Sequence, residues 1–557
     1  MANPKKKAGA LELPSDHLRT TDKNDNAILR IERTFTDEIV IGICAPIGSQ
    51  KEAFIECLRR KLTYDYGYIE VVIPKLSKYI EREYPIGAVP SGVSKSFHEL
   101  KHKIDKGDQL RRDTKKNSVL AEFAITEIHK ERIKHAEEIA DKDIESLDAE
   151  DFVSRKVFYI IDSLKNKDEV KLLRTAYRDI FYQFSIFSPM KEREMYLRDQ
   201  KQMKEEEVKK LIATDEYEEN DHGQDVRHVF TEGDFFVRMS VKTLDKVESK
   251  VDRYLKLMFG QEVVTPLPHE LAMYEAQSAA GNSACLSRQV GAAITDVNNM
   301  ILSTGWNDVP KFGGSLYGET DSLATNDHRC WALGGFCRSD REKDFLADDI
   351  IDTLLKHPKI TERKIHVPIL ETGNPLKVIM LQSVFDYIYA NGDLKKIVTD
   401  IIRNDTKVGA LIEFSKAVHA EMHAIINGSQ MSGARMRGGK LYCTTFPCHN
   451  CARHIIAAGI SEVYYIEPYP KSLVRLHYEA ISEEEDTKDK VKILMYDGVS
   501  PRRYLEFFSR TAKLKDDGGK LLRLPRNKMK PKFRITLQAL KTLERQAIKS
   551  LDDSELT

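Results

Sequence analysis

The chain has 557 residues, 41% apolar and 31% charged, with 87 basic and 87 acidic side chains. That length exceeds a single hydrophobic core, and a net charge of zero is unlike a dedicated nucleic-acid binder, though a local basic patch would suffice. No run of 18 apolar residues predicts a membrane span, MANPKKKAGALELPSDH lacks the apolar centre of a secretory signal, and eight cysteines are too few for a disulfide scaffold, so a cytoplasmic protein with no membrane partner is expected.

Residues 1 to about 34 read as a polar, poorly ordered lead-in. DEIVIGICAP (37–46) is rich in Ile and Val, as a buried parallel strand is, and the apolar spacing of IGSQKEAFIECLRRKL predicts a helix after it. YIEVVIPKLSKYI repeats the strand–helix order, residues 99–150 read as charged helices, and KVFYIID (156–162) is a second apolar strand, ending in Asp162. YRDIFYQFSIFSP (177–189) gives a helix end and a strand, and residues 190–211 a strongly charged, solvated helix. These elements predict an α/β domain with a parallel sheet over residues 35–255.

TPLPHE (265–270) reads as a linker into a second α/β domain over residues 256–510. LAMYEAQSAAGNSA is its first helix, and RQVGAAITD and NMILSTGWN are strands joined by a turn at Val297-Asn298-Asn299. A Gly-rich stretch with Cys330 and Cys337 follows, then a helical insertion over about 339–416. KLYCTT, a helix from PCHNC, EVYYIEP, a further helix and KVKILMYDGV complete the domain. The last segment, 511–557, reads as a basic tail, with seven basic and no acidic residues in KLLRLPRNKMKPKFR (520–534); such runs are usually solvated.

The chemistry gathers in HAEMHAIINGSQMSGARMRGGKLYCTTFPCHNC, residues 419–451. Zinc takes His nitrogen and Cys thiolate, and a catalytic zinc keeps three protein ligands and an open position. His419, Cys448 and Cys451 supply three, and a helix start favours thiolates at Cys448 and Cys451. Glu421 is two residues from His419, so on a helix it points beside the metal and suits proton transfer. A His-x-Glu with a Pro-Cys-x-x-Cys is the signature of zinc nucleobase deaminases, with the Glu as general acid and base. A structural zinc site or a redox-active Cys-x-x-Cys would account for fewer of these residues.

SACLSRQVGAAITDVNNMILSTGWNDVP resembles the start of the deoxycytidylate deaminase fold, and VHAEMHAI and LYCTTFPCHNCARHIIAAGISEVYY resemble its two zinc segments. The resemblance covers about residues 270–500 and implies a cytidine deaminase-like α/β/α sandwich. It implies that Asn307 contacts the sugar hydroxyl and that Phe446 and Pro447 line the base pocket. It also raises a second, structural zinc at Cys330 and Cys337. Lys471 and Ser472 suit substrate phosphates, since a cation and a hydroxyl in one loop match phosphate oxygens; an ordinary surface loop is the alternative. Cys285 and Cys443 read as buried thiols.

GICAPIGSQKEAF resembles the phosphate-binding loop of P-loop kinases, in degenerate form. Five residues separate Gly42 from Gly48; Ser49 stands where Lys is expected, Gln50 where Ser or Thr is, and Lys51 is displaced. The backbone cradle is expected to survive, so a nucleotide (ATP, GTP or a dNTP) is the candidate ligand, with Asp162 as a Walker B-like acid. A degenerate P-loop kinase-like domain joined to a deoxycytidylate-type deaminase looks like the bacterial anti-phage dCTP deaminases. That resemblance implies zinc-dependent deamination of dCTP or dCMP, depletion of dCTP as antiviral defense, and a first domain that restrains or senses. It implies a regulatory inhibitor (RNA, nucleotide or protein) and a homo-oligomer. A polynucleotide deaminase acting on DNA or tRNA, and a non-catalytic effector, are the competing readings.

Overall fold

The computed structural model describes residues 27–148, 151–217, 225–260, 262–357, 364–366, 378–380, 391–411, 413–468, 472–510 and 513–552. Strands β1 (Ile39–Cys44), β2 (Ile69–Glu70), β3 (Val157–Asp162), β4 (Phe181–Phe187) and β5 (Phe235–Arg238) form a parallel sheet in the order β2-β3-β1-β4-β5. Every residue of β1 is buried. Ile39, Ile41 and Ile43 face one side, packed with Phe54, Leu58 and Leu255 of two covering helices. Val40 and Cys44 face the other, packed with residues of the helices Val119–Ala140 and Lys167–Tyr177. Two covered faces explain a strand that is apolar without alternation.

The second sheet contains β6 (Gly291–Thr295) and β7 (Ile301–Trp306), which precede a separate two-stranded ribbon of β8 (Lys364–His366) and β9 (Val378–Met380). It continues with β10 (Lys440–Thr445), β11 (Glu462–Glu467), β12 (Ile481–Ser482) and β13 (Val491–Met495), in the order β12-β13-β11-β10-β6-β7. β10, β11, β13 and β12 are parallel, whereas β6 runs antiparallel to both β10 and β7. The ends of β7, β10 and β11 and the start of β6 therefore lie along one edge. Leu441, Cys443 and Val463 face the helices Ala420–Ser432 and His449–Ala457. The opposite face, with Ala293, Tyr442 and Ile466, packs on the helix Pro268–Ala280 and is continuous with the core of the first sheet.

The two units thus share a core, and β14 (Gly498–Val499) pairs antiparallel with β5 at the edge of the first sheet. The segment read as a linker is partly helical, because Pro268 opens the helix Pro268–Ala280, a position where proline loses nothing. The expected β6–β7 hairpin forms, and Asp296 Oδ1 accepts the N–H groups of Asn298 and Met300 within its turn.

Two expectations are corrected. Residues 190–211 are not one helix: the helix Met190–Met195 passes into a wider turn at Tyr196–Gln200, and a new helix spans Glu205–Tyr217. Leu197 and Met203 turn inward to pack with Ile104, Val208 and Leu211, and a continuous solvated helix would leave them outside. Nor is the C-terminal segment a free basic tail. Arg526 pairs with Asp65, Asp252 and Glu262, Lys532 Nζ donates to the carbonyl of Phe507, and the helix Leu537–Asp552 lies on the first sheet's helical layer. Glu544 of that helix is fully buried against Arg132 and His129. The positive charge of the run is complementary to acids on the first unit. Only residues 27 onward of the N-terminal lead-in are described; they include the helix Ala27–Glu32, and the N–H of Thr36 bonds the carbonyl of Ile535.

Candidate active site

The catalytic helix Ala420–Ser432 starts at His419, whose backbone is extended (φ −75°, ψ 155°). Three contacts set this helix on β7. The N–H of Trp306 meets His423 Nδ1 at 3.2 Å, with the two rings edge to face at 4.6 Å. Ser303 Oγ donates to the carbonyl of Ala424 at 2.8 Å. A Cβ on Gly305 would stand 2.3 Å from the nitrogen of Ala424, so only glycine admits this approach. The second segment leaves β10 through Phe446 and Pro447, and Cys448 caps the helix His449–Ala457, its sulfur accepting the N–H of Cys451 at 3.4 Å.

The two segments bring His419 Nδ1 to 3.3 Å from Cys448 Sγ and 3.4 Å from Cys451 Sγ. Bond lengths of about 2.3 Å for Zn–S and about 2.0 Å for Zn–N, at tetrahedral angles, separate a nitrogen from a sulfur ligand by roughly 3.5 Å. The three residues therefore fit zinc in both donor type and spacing. Among the described residues they are the only group of three His, Cys, Asp or Glu whose ligating atoms lie this close together.

The charges suit a cation. The hydrogen bond from Cys451 and the neighbouring His419 pull the Cys448 thiol down to about 4. Sharing with Cys448 pushes the Cys451 thiol up, and the Cys448 contact raises His419 to about 9. Metal ligation needs thiolates and a neutral imidazole, so a metal bound here would displace the protons these three residues carry. Glu421 is 4% exposed, and burial pushes its carboxyl above the usual range, with His419 opposing.

Asn307 is buried at the end of β7. Its Oδ1 accepts the N–H of Val290 at 2.7 Å and its Nδ2 donates to the carbonyl of Arg288 at 2.9 Å, so it fixes the strand that enters β6. Phe446 is half-buried, edge to face with Tyr465 at 4.8 Å, and its N–H bonds the carbonyl of Glu467. Pro447 is buried, and its carbonyl accepts the hydroxyl of Ser472 at 2.9 Å. Lys471 lies outside the described residues. Cys330 and Cys337 join no metal-binding group among the described residues; Cys337 Sγ lies 3.4 Å from Ser287 Oγ. Cys443 is buried, and burial pushes its thiol up; Cys285 is half-buried.

In the first unit, Gly42 lies inside β1, where a Cβ would meet Leu164 and Phe181 within 2.7 Å. Gly48 takes a left-handed φ of 83° in the loop that follows. The amides of this loop have partners from the protein itself. The N–H of Ile47 bonds Asp215 Oδ2 at 2.7 Å, that of Gln50 bonds Ser188 Oγ, and that of Ser49 the carbonyl of Pro46. Lys165 also holds Asp215, at 2.9 Å, while Lys51 pairs with Asp162 and donates to Ser163 Oγ at 2.8 Å. A phosphate in this loop would have to displace the Asp215 carboxylate.

Residues 267–467 match the family described as the cytidine and deoxycytidylate deaminase zinc-binding region. The second unit thus contains a stretch similar to the zinc-binding region of cytidine and deoxycytidylate deaminases. ComE operon protein 2 of Bacillus subtilis is 44% identical over 55 residues, 10% of this chain and 29% of that protein. A probable deoxycytidylate deaminase of Drosophila melanogaster is 51% identical over 49 residues, 9% of this chain and 23% of that protein. The deoxycytidylate deaminase of phage T4 is 36% identical over 55 residues, 10% of this chain and 28% of that protein. The chain thus spans less than a third of the length of each of these relatives. Among solved structures, the dCMP deaminase of cyanophage S-TIM5 aligns at 16% identity, covering 42% of this chain and all of that one, with a TM-score of 0.20.

Several functional neighbours are not visible in the motifs. His423 and Trp306 seat the catalytic helix, and Asp308, Arg288 and Glu467 organise the rim. The Gly291–Trp306 and Tyr442–Ala293 pairings bring them to one edge, and strand spacing alone does not give that register.

Proposed function

We propose that the chain is a zinc-dependent hydrolase that deaminates deoxycytidine nucleotides, dCTP and dCMP, to the deoxyuridine nucleotides. The observation that carries this reading is the convergence of His419, Cys448 and Cys451 within 4.8 Å of one another, with Glu421 buried beside them. When bound, zinc activates water for attack on the amine-bearing ring carbon. Glu421 would take one proton from that water and pass it to the ring nitrogen, then take the remaining hydroxyl proton as the carbonyl forms and deliver it to the amine, which leaves as ammonia. Phe446 and Pro447 are assigned to the base and Lys471 and Ser472 to the phosphates, while Asn307, whose Oδ1 and Nδ2 are engaged by Val290 and Arg288, is assigned to the sugar through the strand end it fixes.

Draining dCTP would starve a replicating phage, so antiviral defense is the biological role we assign. An enzyme of this kind is toxic to its host when unrestrained. The first unit, read as a degenerate P-loop kinase-like domain, is therefore assigned a regulatory part, answering to an inhibitor that is RNA, nucleotide or protein. Its core is continuous with that of the deaminase-like unit, which gives a ligand there a mechanical route to the site. The same continuity makes removal of the first unit a poor test; Asp215→Ala, which frees the loop after β1, is the cleaner one. We assign a homo-oligomeric, cytoplasmic protein. Among the described residues no helix is long and apolar enough to cross a membrane.

The polynucleotide reading leaned on the basic run 520–534, but Arg526 and Lys532 of that run are engaged with the protein itself. The deciding experiment is ammonia release from the purified protein with deoxycytidine, dCMP, dCTP and single-stranded DNA, with Glu421→Ala as the control. Turnover of the free nucleotides alone is expected. Turnover of DNA alone would replace this reading with the polynucleotide one.

A further inference from the structure

Glu467 ends β11, and three groups converge on it. Its Oε1 accepts from Arg288 Nη1 at 2.9 Å and from Arg227 Nη2 at 3.3 Å, and its Oε2 accepts from Thr445 Oγ1 at 3.3 Å. Arg288 leads into β6 of the deaminase-like unit. Arg227 belongs to the first unit, on the helix Val226–Thr231, 240 residues before Glu467. Two guanidiniums on one carboxylate leave an excess of positive charge. Arg227 Nε is buried and has no hydrogen-bond partner among the described residues. Burial, with Arg288 alongside, pushes the Arg227 pKa down from its ordinary value even though Glu467 opposes it.

This cluster lies at the end of the sheet from which β10 leads to Cys448, where Thr445 pairs with Glu467. Val463 and Tyr465 point to the zinc-bearing face, and Glu467 follows the same alternation. Thr445 is three residues from Cys448, so at most about 11 Å of extended chain separates them. The carbonyl of Arg288 is held by Asn307. Two guanidiniums beside one carboxylate, that of Arg288 half exposed, present the fork geometry that matches phosphate oxygens.

We infer that Arg227 and Arg288 form a clamp for the phosphate groups of the nucleotide substrate, with Glu467 spacing the two and the first unit supplying one jaw. The inference rests on the nucleotide-deaminase reading and deepens it, because a clamp of two arginines favours a polyphosphate over a monophosphate. It also makes the first unit part of the substrate site.

The test has two arms on the full-length, zinc-loaded protein and its Arg227→Gln and Arg288→Gln variants. In the first, inorganic tripolyphosphate is titrated calorimetrically. Binding to the unaltered protein that weakens at least about tenfold in each variant is expected, since each loses a charge-assisted pair. In the second, KM and kcat are measured with deoxycytidine, dCMP and dCTP. The loss is expected in KM, to grow with each added phosphate, and to be partly restored by Arg227→Lys. Arg288 is half exposed, so its variant keeps the test intact if the Arg227 variants fold poorly. No binding of tripolyphosphate to the unaltered protein, or equal binding by all variants, overturns the clamp. An enzyme that deaminates dCTP with KM unchanged in both variants also overturns the clamp and leaves the deaminase reading standing. Variant-sensitive tripolyphosphate binding in a protein that deaminates none of the three upholds the clamp as a phosphate site and removes the deaminase reading.

Discussion

Val418 donates its backbone N–H to the carbonyl of Asp308 at 2.9 Å, and that bond fixes where the catalytic helix begins. Asp308 is itself held. Its Oδ2 accepts the N–H of Ala284 at 2.9 Å, and the Arg329 guanidinium lies 3.9 Å away. Val418, the residue before His419, is thus tied to the end of β7 and, through Arg329 and Asp327, to the Gly-rich stretch beyond it. His419 arrives at the metal position because backbone pairing places it there.

Glu421→Gln should retain zinc and the fold while losing about 10²–10⁴ in kcat, the range for a removed general acid and base. Ammonia release against zinc content per chain measures both. Turnover within a few-fold of the unaltered protein would remove Glu421 from the proton-transfer role.

Cys448→Ala deletes one ligand and the helix cap that accepts from Cys451. Zinc content should fall to a small fraction of one per chain, and activity with it. Full occupancy after dialysis against a chelator would contradict the ligand assignment.

Gly305→Ala tests the approach of the catalytic helix to β7. The added methyl meets the nitrogen of Ala424 and the carbonyl of Ala420, neither of which can rotate away. A loss of about 1–3 kcal/mol is expected from such overpacking, together with a fall in activity as His419 and Glu421 move with their helix. Thermal melting and ammonia release would show them together; an unchanged melting temperature would mean the gap is wider than described.

Glu544→Ala should destabilise the protein by about 1–3 kcal/mol, because it removes one of the two buried carboxylates that hold Arg132 and leaves Glu38 to carry the pair. Burial on its own raises the Glu544 carboxyl, but Arg132 and His129 outweigh it and hold it below its ordinary value of 4.5. A depressed carboxyl contributes stability that is present above the unfolded value and is lost as pH falls through the folded one. Denaturation midpoints of the unaltered protein should therefore drop below about pH 4.5, and the drop should be smaller in Glu544→Ala. Parallel curves for the two would refute this role.

The residues of the metal-suited group, His419, Cys448 and Cys451, and the neighbouring Glu421 could be picked out in the sequence because their residue types and short spacings are local. A His-x-Glu at one helix start and a Cys-x-x-Cys at another each place their groups within one turn, but the 29 positions that separate His419 from Cys448 mean that only packing brings the two starts together. The buried strands β1, β3 and β4 were legible for a similar reason, since a strand covered on both faces must be apolar throughout. Tertiary structure decided the rest. The run 520–534 looks solvated as a string of cations, but Arg526 within it is held by Asp65, Asp252 and Glu262, which lie more than 250 residues earlier. Asp215 is an unremarkable helix residue in sequence and becomes the occupant of the loop after β1 only when that helix packs there. Arg227 reaches Glu467 because two sheets share one core. Ligand identity is a property of short spacing, which a chain carries along its length; charge neutralisation and the meeting of two units depend on long-range contacts, which exist only once the chain has folded.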